Sequence, residues 1–164
     1  AEVYAGKPVD TFEGTAWTER GRELEDQALA YYEFMTDEPV LQVGFATDDH
    51  NLSGCSPDGL VGDDGMVEIK CLKAENHIKT ILYHQKHDRC PPDYVQQTQG
   101  QLMVCERSWC DLVFYHPDLP HLTIRQTPDA AIQSALRIAL AQVVKRRDEV
   151  VSTLQGQNQT KAAA

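Results

Sequence analysis

Residues 55 to 71 read Cys55-Ser56-Pro57-Asp58-Gly59-Leu60-Val61-Gly62-Asp63-Asp64-Gly65-Met66-Val67-Glu68-Ile69-Lys70-Cys71, and their reading decides the fold. Asp58 follows a proline and precedes a glycine, so a bend exposes its carboxylate. Leu60 and Val61 open an apolar run that stops at Gly62-Asp63-Asp64-Gly65, a strong hairpin signal. On the return run, side chains alternate between the two faces of a strand. Glu68 and Lys70 therefore share one face, and Val67, Ile69 and Cys71 the other. If the hairpin closes, Asp58 and Glu68 come from neighbouring strands and can point at one spot. Two hard carboxylates with a lysine two residues on can hold Mg²⁺ and assist attack on a phosphodiester. A Glu-x-Lys alone is commonly a solvated strand face; the Pro-Asp, the Gly-rich turn and the tight spacing favour chemistry.

Upstream of this stretch, a helix is expected from about Ala16 to Phe34, because Trp17, Leu24, Ala28, Tyr31 and Tyr32 recur at helical spacing. Glu25 lies close to that apolar stripe. It is either a solvated glutamate or a third metal-site carboxylate delivered by the helix. Residues 1 to 6 read as the last turn of another helix ended by Gly6, and 7 to 15 as a loop. Val40 to Thr47 and Leu52 to Val61 read as strands that join the hairpin in a mostly antiparallel sheet.

Downstream, Ala74 to Tyr83 reads as a helix and His84 to Asp93 as a charged loop. A second helix runs from Asp93 to Cys105, with Tyr94, Gln97, Gln101 and Val104 along one face. A face so rich in amides is either solvent-facing or, where buried glutamines need partners, the side of a site. Asp111–His116 and His121–Gln126 read as strands. Asp129 to Leu154 reads as the longest helix, opened by Thr127-Pro128. Its Lys145-Arg146-Arg147 run reads as a solvated helix end rather than a DNA clamp. Residues 155–164 read as a disordered polar tail.

Composition sets the frame. The chain has 164 residues, 41% of them apolar and 24% charged, enough for one domain with a real core. It holds no run of about 18 apolar residues, so no transmembrane helix is expected. A net charge of −10 argues against a generally basic nucleic-acid coat protein, but metal-binding carboxylates contribute to it. The five cysteines are odd in number and lack a C-x-x-C pattern. With no secretory signal visible, reduced thiols in a cytoplasm are expected, and neither a structural zinc nor an iron–sulfur cluster.

Four blocks occur in the order and register of a known family: Gly21 to Ala28, Cys55 to Leu60, Glu68 to Cys71, and Tyr94 to Leu102. Together with the Tyr115-His116-Pro117-Asp118 turn, they make the chain resemble phage lambda exonuclease and the YqaJ-type viral recombinases, within the PD-(D/E)XK nuclease superfamily. The likeness extends from Ala1 to about Val151. It implies an α/β fold with a restriction-endonuclease-like core, a central mixed sheet flanked by helices. The expected nuclease domain spans 1–154, without the N-terminal helical segment that precedes it in family members and carries an arginine for the 5′-phosphate.

The resemblance also implies an activity: 5′-to-3′ digestion of one strand of linear double-stranded DNA, leaving 3′ overhangs for homologous recombination by single-strand annealing. Asp58, Glu68, the carbonyl of Ile69 and Glu25 would be the metal ligands, for two Mg²⁺ ions with Mn²⁺ as a substitute. Lys70 would orient or deprotonate the attacking water, or simply bind the phosphate, and Gln97 would stand beside the site. The implied partners are duplex DNA ends, an annealing protein and two further copies in a ring-shaped homotrimer, in the cytoplasm of a bacterium carrying the phage or prophage. A structure-specific endonuclease on the same core, and a catalytically silent module that binds the annealing protein, are the alternatives.

Overall fold

The computed structural model describes residues 16–50 and 52–162. The readings made for residues 1–15 lie outside that range. Helix α1 (Ala16–Thr36) leads to a short strand β1 (Val40–Leu41), a small hairpin of β2 (Ala46–Thr47) and β3 (Gly54–Cys55), then the main hairpin of β4 (Gly59–Val61) and β5 (Gly65–Cys71). Helices α2 (Ala74–His87) and α3 (Pro92–Val104) follow. Strands β6 (Trp109–Tyr115) and β7 (Leu122–Gln126) come next, and helix α4 (Ala130–Ala162) ends the chain.

The five-stranded sheet has the order β1-β4-β5-β6-β7. All neighbours are antiparallel except β5 and β6, which run parallel from Gly65↔Trp109 to Cys71↔Tyr115. A parallel pair needs a long crossover, and α2 with α3 supply it. The sheet is therefore mixed, with less antiparallel pairing than its hairpins alone suggest.

The pleat of β5 and β6 sorts the core into two layers. Val67, Ile69 and Val113 face α1, where Ala28, Leu29 and Tyr32 close on them with Val61. Leu112 and Phe114 face the other way with Ile124 and Cys90, backed by Tyr94 and Val95 of α3. Met66 and Cys110 join Leu102 of α3 on that same side. The alternation expected for β5 thus holds, and it gives the sheet one helix on each face.

The hairpin turns at Gly62, whose φ of +55° is left-handed and suits glycine. Asp63 and Asp64 serve the turn. The Asp64 carbonyl accepts the Ser108 N–H at 2.8 Å, and the Asp64 carboxylate accepts the Trp109 indole N–H at 3.2 Å. Gly65 must lack a side chain because a Cβ there would run into the Trp109 ring.

Several boundaries differ from expectation. The stretch 40–47 is not one strand. Val40–Leu41 pairs with β4, whereas Ala46–Thr47 pairs with Gly54–Cys55 in a separate two-stranded sheet. The same division splits 52–61 around Pro57, which has no N–H for a ladder. Asp48 stabilises the small hairpin, accepting the backbone N–H groups of His50, Leu52 and Ser53. Helix α2 runs four residues beyond Tyr83, so Lys86 sits in its last turn rather than in a loop. The cap of α4 is Asp129, whose carboxylate accepts the N–H groups of Ala131 and Ile132, in place of Thr127-Pro128. That helix continues to Ala162, through most of the stretch expected to be a tail.

Candidate active site

The site forms at the start of β4, where β5 continues past the end of their ladder. The last pair between them is Gly59↔Val67, so Ile69 lies beyond the ladder on that edge. Asp58, one residue before β4, takes the place of the missing strand. Its Oδ2 accepts the Ile69 N–H at 2.6 Å. A backbone bond that proline and chain bend interrupt is thereby completed by a side chain. This contact holds the Asp58 carboxylate against the strand that carries Glu68 and Lys70.

Glu68 is only 3% exposed and is held by three donors. Its Oε1 accepts Lys70 Nζ and Gln97 Nε2, each at 2.6 Å, and its Oε2 accepts Gln101 Nε2 at 2.7 Å. A buried carboxylate stays in place only when such partners replace water. The amide face of α3 thus serves the site: Gln101 is buried against Glu68, and Gln97 reaches the same carboxylate from an exposed position. Gln101 belongs to this face but did not stand out from Gln97 in sequence. The signal was its place one helical turn further along the same face.

The two acids are not alike. Burial first, then the charge of Glu68 and that of Glu25, push the Asp58 carboxyl up to about 7; the Ile69 N–H and Lys70 oppose this. Glu25 is half-buried on α1 and acts on Asp58, and on the thiol of Cys71, through its charge. Among the described residues, no three side chains of His, Cys, Asp and Glu are gathered closely enough to hold a metal ion. The side-chain donors that converge are two carboxylates, with Glu25 bearing on them by charge.

The chemistry of this donor set suits a hard cation. Carboxylate oxygens with negative charge in excess are the environment Mg²⁺ prefers. The charges of Glu68 and Glu25 add to burial in raising the Asp58 carboxyl, as expected where acids crowd together. Elsewhere, the basic run on α4 is engaged with its own helix: Arg146 meets Glu149 at 3.5 Å and Arg147 meets Asp148 at 2.8 Å. Among the described residues, no helix is long and apolar enough to cross a membrane.

A second polar cluster, absent from the sequence reading, lies on the α1 side of the sheet. Asp111 is buried, and Arg125 grips it with two bonds of 2.8 and 2.7 Å while the Tyr32 hydroxyl donates to it at 2.7 Å. The Arg125 guanidinium also stacks 3.8 Å from the Trp109 ring centre. This cluster ties α1, β6 and β7 together.

A mixed sheet with carboxylates and a lysine at a broken strand edge defines a class, and sequence comparison defines the family. A family model of the YqaJ-like viral recombinase domain matches residues 1–108, and the chain belongs to that family. Among solved structures, LHK-Exo in complex with dAMP is 31% identical with a TM-score of 0.83, over 97% of this chain and 80% of that one. A structure of LHK-Exo described as an alkaline exonuclease from Laribacter hongkongensis is 34% identical, with a TM-score of 0.78 over 92% and 78%. A phage-related exonuclease from Haemophilus somnus 129PT shares the fold at 16% identity, with a TM-score of 0.68 over 88% and 76%. No curated protein sequence matches. The family and the fold class expected from the four sequence blocks are both found.

Proposed function

We propose that this chain is a metal-dependent 5′-to-3′ exonuclease of the PD-(D/E)XK kind, which digests one strand of linear double-stranded DNA and leaves 3′ overhangs for single-strand annealing. The observation that carries this reading is the meeting of Asp58, Glu68 and Lys70 at the edge of β5, with Asp58 pushed up to about 7 by burial and neighbouring charge. Similarity to LHK-Exo, an alkaline exonuclease that was solved in complex with dAMP, supports it.

Asp58, Glu68, the Ile69 carbonyl and Glu25 are the residues that would hold Mg²⁺, or Mn²⁺ in its place. Bound there, the ions would polarise the scissile phosphate, activate water and stabilise the leaving 3′-oxygen. The chain's own groups do the remaining work. Gln97 and Gln101 fix the rotamer of Glu68, so the carboxylate needs little reorganisation. Lys70, held at Glu68, stands where its ammonium can anchor a phosphate oxygen, or where the amine, once it has given up a proton, can take one from water. We further propose a homotrimeric ring around the DNA, an annealing protein as partner, and the cytoplasm of a phage-bearing bacterium as the place of action.

Cleavage of linear duplex DNA with one 5′-phosphorylated end, beside closed circular plasmid, tests the activity. Loss of the phosphorylated strand alone, dependent on Mg²⁺ and reduced roughly 10³-fold by Lys70→Ala, is the expected result. Nicking of the circle would replace this reading with an endonuclease. Retained binding of an annealing protein without any cleavage would replace it with a silent module.

A further inference from the structure

The five cysteines, taken as separate thiols from their spacing, are not all separate in space. Cys55 ends β3, and Cys105 is the residue directly after α3. Their sulfurs lie 3.5 Å apart across fifty positions of chain. Cys71, Cys90 and Cys110 make no such contact with another cysteine among the described residues; Cys90 instead meets the Pro91 carbonyl at 3.5 Å. Both Cys55 and Cys105 are half-buried, within reach of a small solute.

The pair sits between the two shoulders of the candidate active site. Three residues after Cys55 comes Asp58, with Pro57 buried between them. Four residues before Cys105 comes Gln101, whose carbonyl accepts the Cys105 N–H at 2.8 Å. Strand β3 packs on α3. A covalent bond between the sulfurs would therefore join the segment that delivers Asp58 to the helix that positions Glu68.

We propose that Cys55 and Cys105 are a redox modification site, closing into a reversible disulfide that clamps the Asp58 segment to α3. The sulfurs, already 3.5 Å apart, need to approach to about 2.05 Å for the bond to form. With oxidised glutathione as oxidant, one protein thiolate attacks a glutathione sulfur and expels the first glutathione. The second protein sulfur attacks the mixed disulfide, forms the Cys55–Cys105 bond and expels the second glutathione. Two protein thiols are oxidised, one glutathione disulfide is reduced to two thiols, and the two protons pass through solvent to the products. The ratio of closed to open protein follows the concentration of glutathione disulfide divided by the square of that of the glutathione thiol. Burial first, then the neighbouring Cys105 thiol and the Glu68 charge, push the Cys55 thiol up to about 12. Closure is consequently slow at neutral pH and speeds up as pH rises. The proposal concerns the two sulfurs and stands whether or not the neighbouring site cuts DNA.

The test treats the whole chain with oxidised glutathione at pH 8.5, then counts thiols, maps digested peptides and measures Tm. Two of the five thiols should disappear, with one linked peptide pair joining Cys55 and Cys105 of the same chain. Tm should rise by roughly 5–15 °C, as expected for closing a loop of this length, and fall back with dithiothreitol. Cys55→Ser and Cys105→Ser should each abolish the Tm rise, with circular dichroism verifying the fold. Peptide mapping of the unsubstituted chain gives the answer even if a variant misfolds. Five persisting thiols, mixed glutathione adducts that never resolve, or a linkage through Cys71, Cys90 or Cys110 would each overturn the proposal.

Discussion

Gln101 donates a 2.7 Å hydrogen bond from its side-chain amide to Glu68 Oε2 in the interior of the protein, linking α3 to β5 across thirty-three positions of sequence. Both residues are buried, and among the described residues the amide oxygen of Gln101 has no hydrogen-bond partner. That bond is the third that Glu68 accepts, after those of Lys70 and Gln97, and it fixes the second carboxylate oxygen.

Replacing Gln101 with leucine should expose how much that orientation matters. The Glu68 carboxylate would lose its donor at Oε2 while keeping Lys70 and Gln97 at Oε1. An unsatisfied buried acceptor costs about 1–3 kcal/mol, to be read from urea unfolding. DNA cleavage should fall roughly 10- to 100-fold through kcat, because a group moved by a fraction of its reach no longer meets the reacting atoms. Unchanged kcat with lowered stability would mean that Gln101 holds the fold and leaves the chemistry alone.

The Asp58 carboxyl predicts a pH dependence of stability in metal-free protein. Its folded-state value, about 7, stands above its ordinary 3.8. Between these values the folded chain binds more protons than the unfolded one, so stability falls as pH rises, and the penalty is complete above about 7. Asp58→Asn keeps an oxygen to accept the Ile69 N–H but removes the charge. In a chelating buffer this variant should melt roughly 2–6 °C above the parent at pH 8 and level with it at pH 4. A gain of the same size at pH 4 would show that charge is not the cause. Added Mg²⁺ should raise the Tm of the parent at pH 8 and leave the variant behind.

The Tyr32–Asp111–Arg125 cluster predicts a stability effect on the opposite face of the sheet. Asp111→Ala leaves the buried Tyr32 hydroxyl and the Arg125 guanidinium without their shared acceptor. The expected loss is about 2–3 kcal/mol, because Arg125 is half-exposed and can turn to water, whereas Tyr32→Phe, which removes one donor only, should cost about 1 kcal/mol. Burial and the bond to Asp111 also push the Tyr32 hydroxyl up, so no tyrosinate should form there below the pH at which the fold is lost. Urea titrations of both variants measure the difference. Equal costs would mean that the Arg125 bonds contribute nothing.

The sequence by itself determined what depends on neighbouring residues. The alternation of Val67, Glu68, Ile69 and Lys70 placed the apolar and charged groups on opposite faces, and a strand's period of two leaves no other outcome. Gly62-Asp63-Asp64-Gly65 announced its turn, because Gly62 tolerates a φ of +55°. The spacing of Ala28 and Tyr32 placed α1, and that of Gln97 and Gln101 placed the amide face of α3. Resemblance in four blocks then supplied the family.

Tertiary structure alone decided what depends on distant chain. Whether an amide face meets solvent or a carboxylate is set by where the crossover lays α3, and no local period encodes that. Tyr32 meets Asp111 across seventy-nine positions and Cys55 meets Cys105 across fifty, so neither pair has a signature in spacing. The division of 40–47 between two sheets has the same origin, since a short edge strand pairs with whichever backbone the packed core presents. Local periodicity chose the faces; loop closure and burial chose the partners.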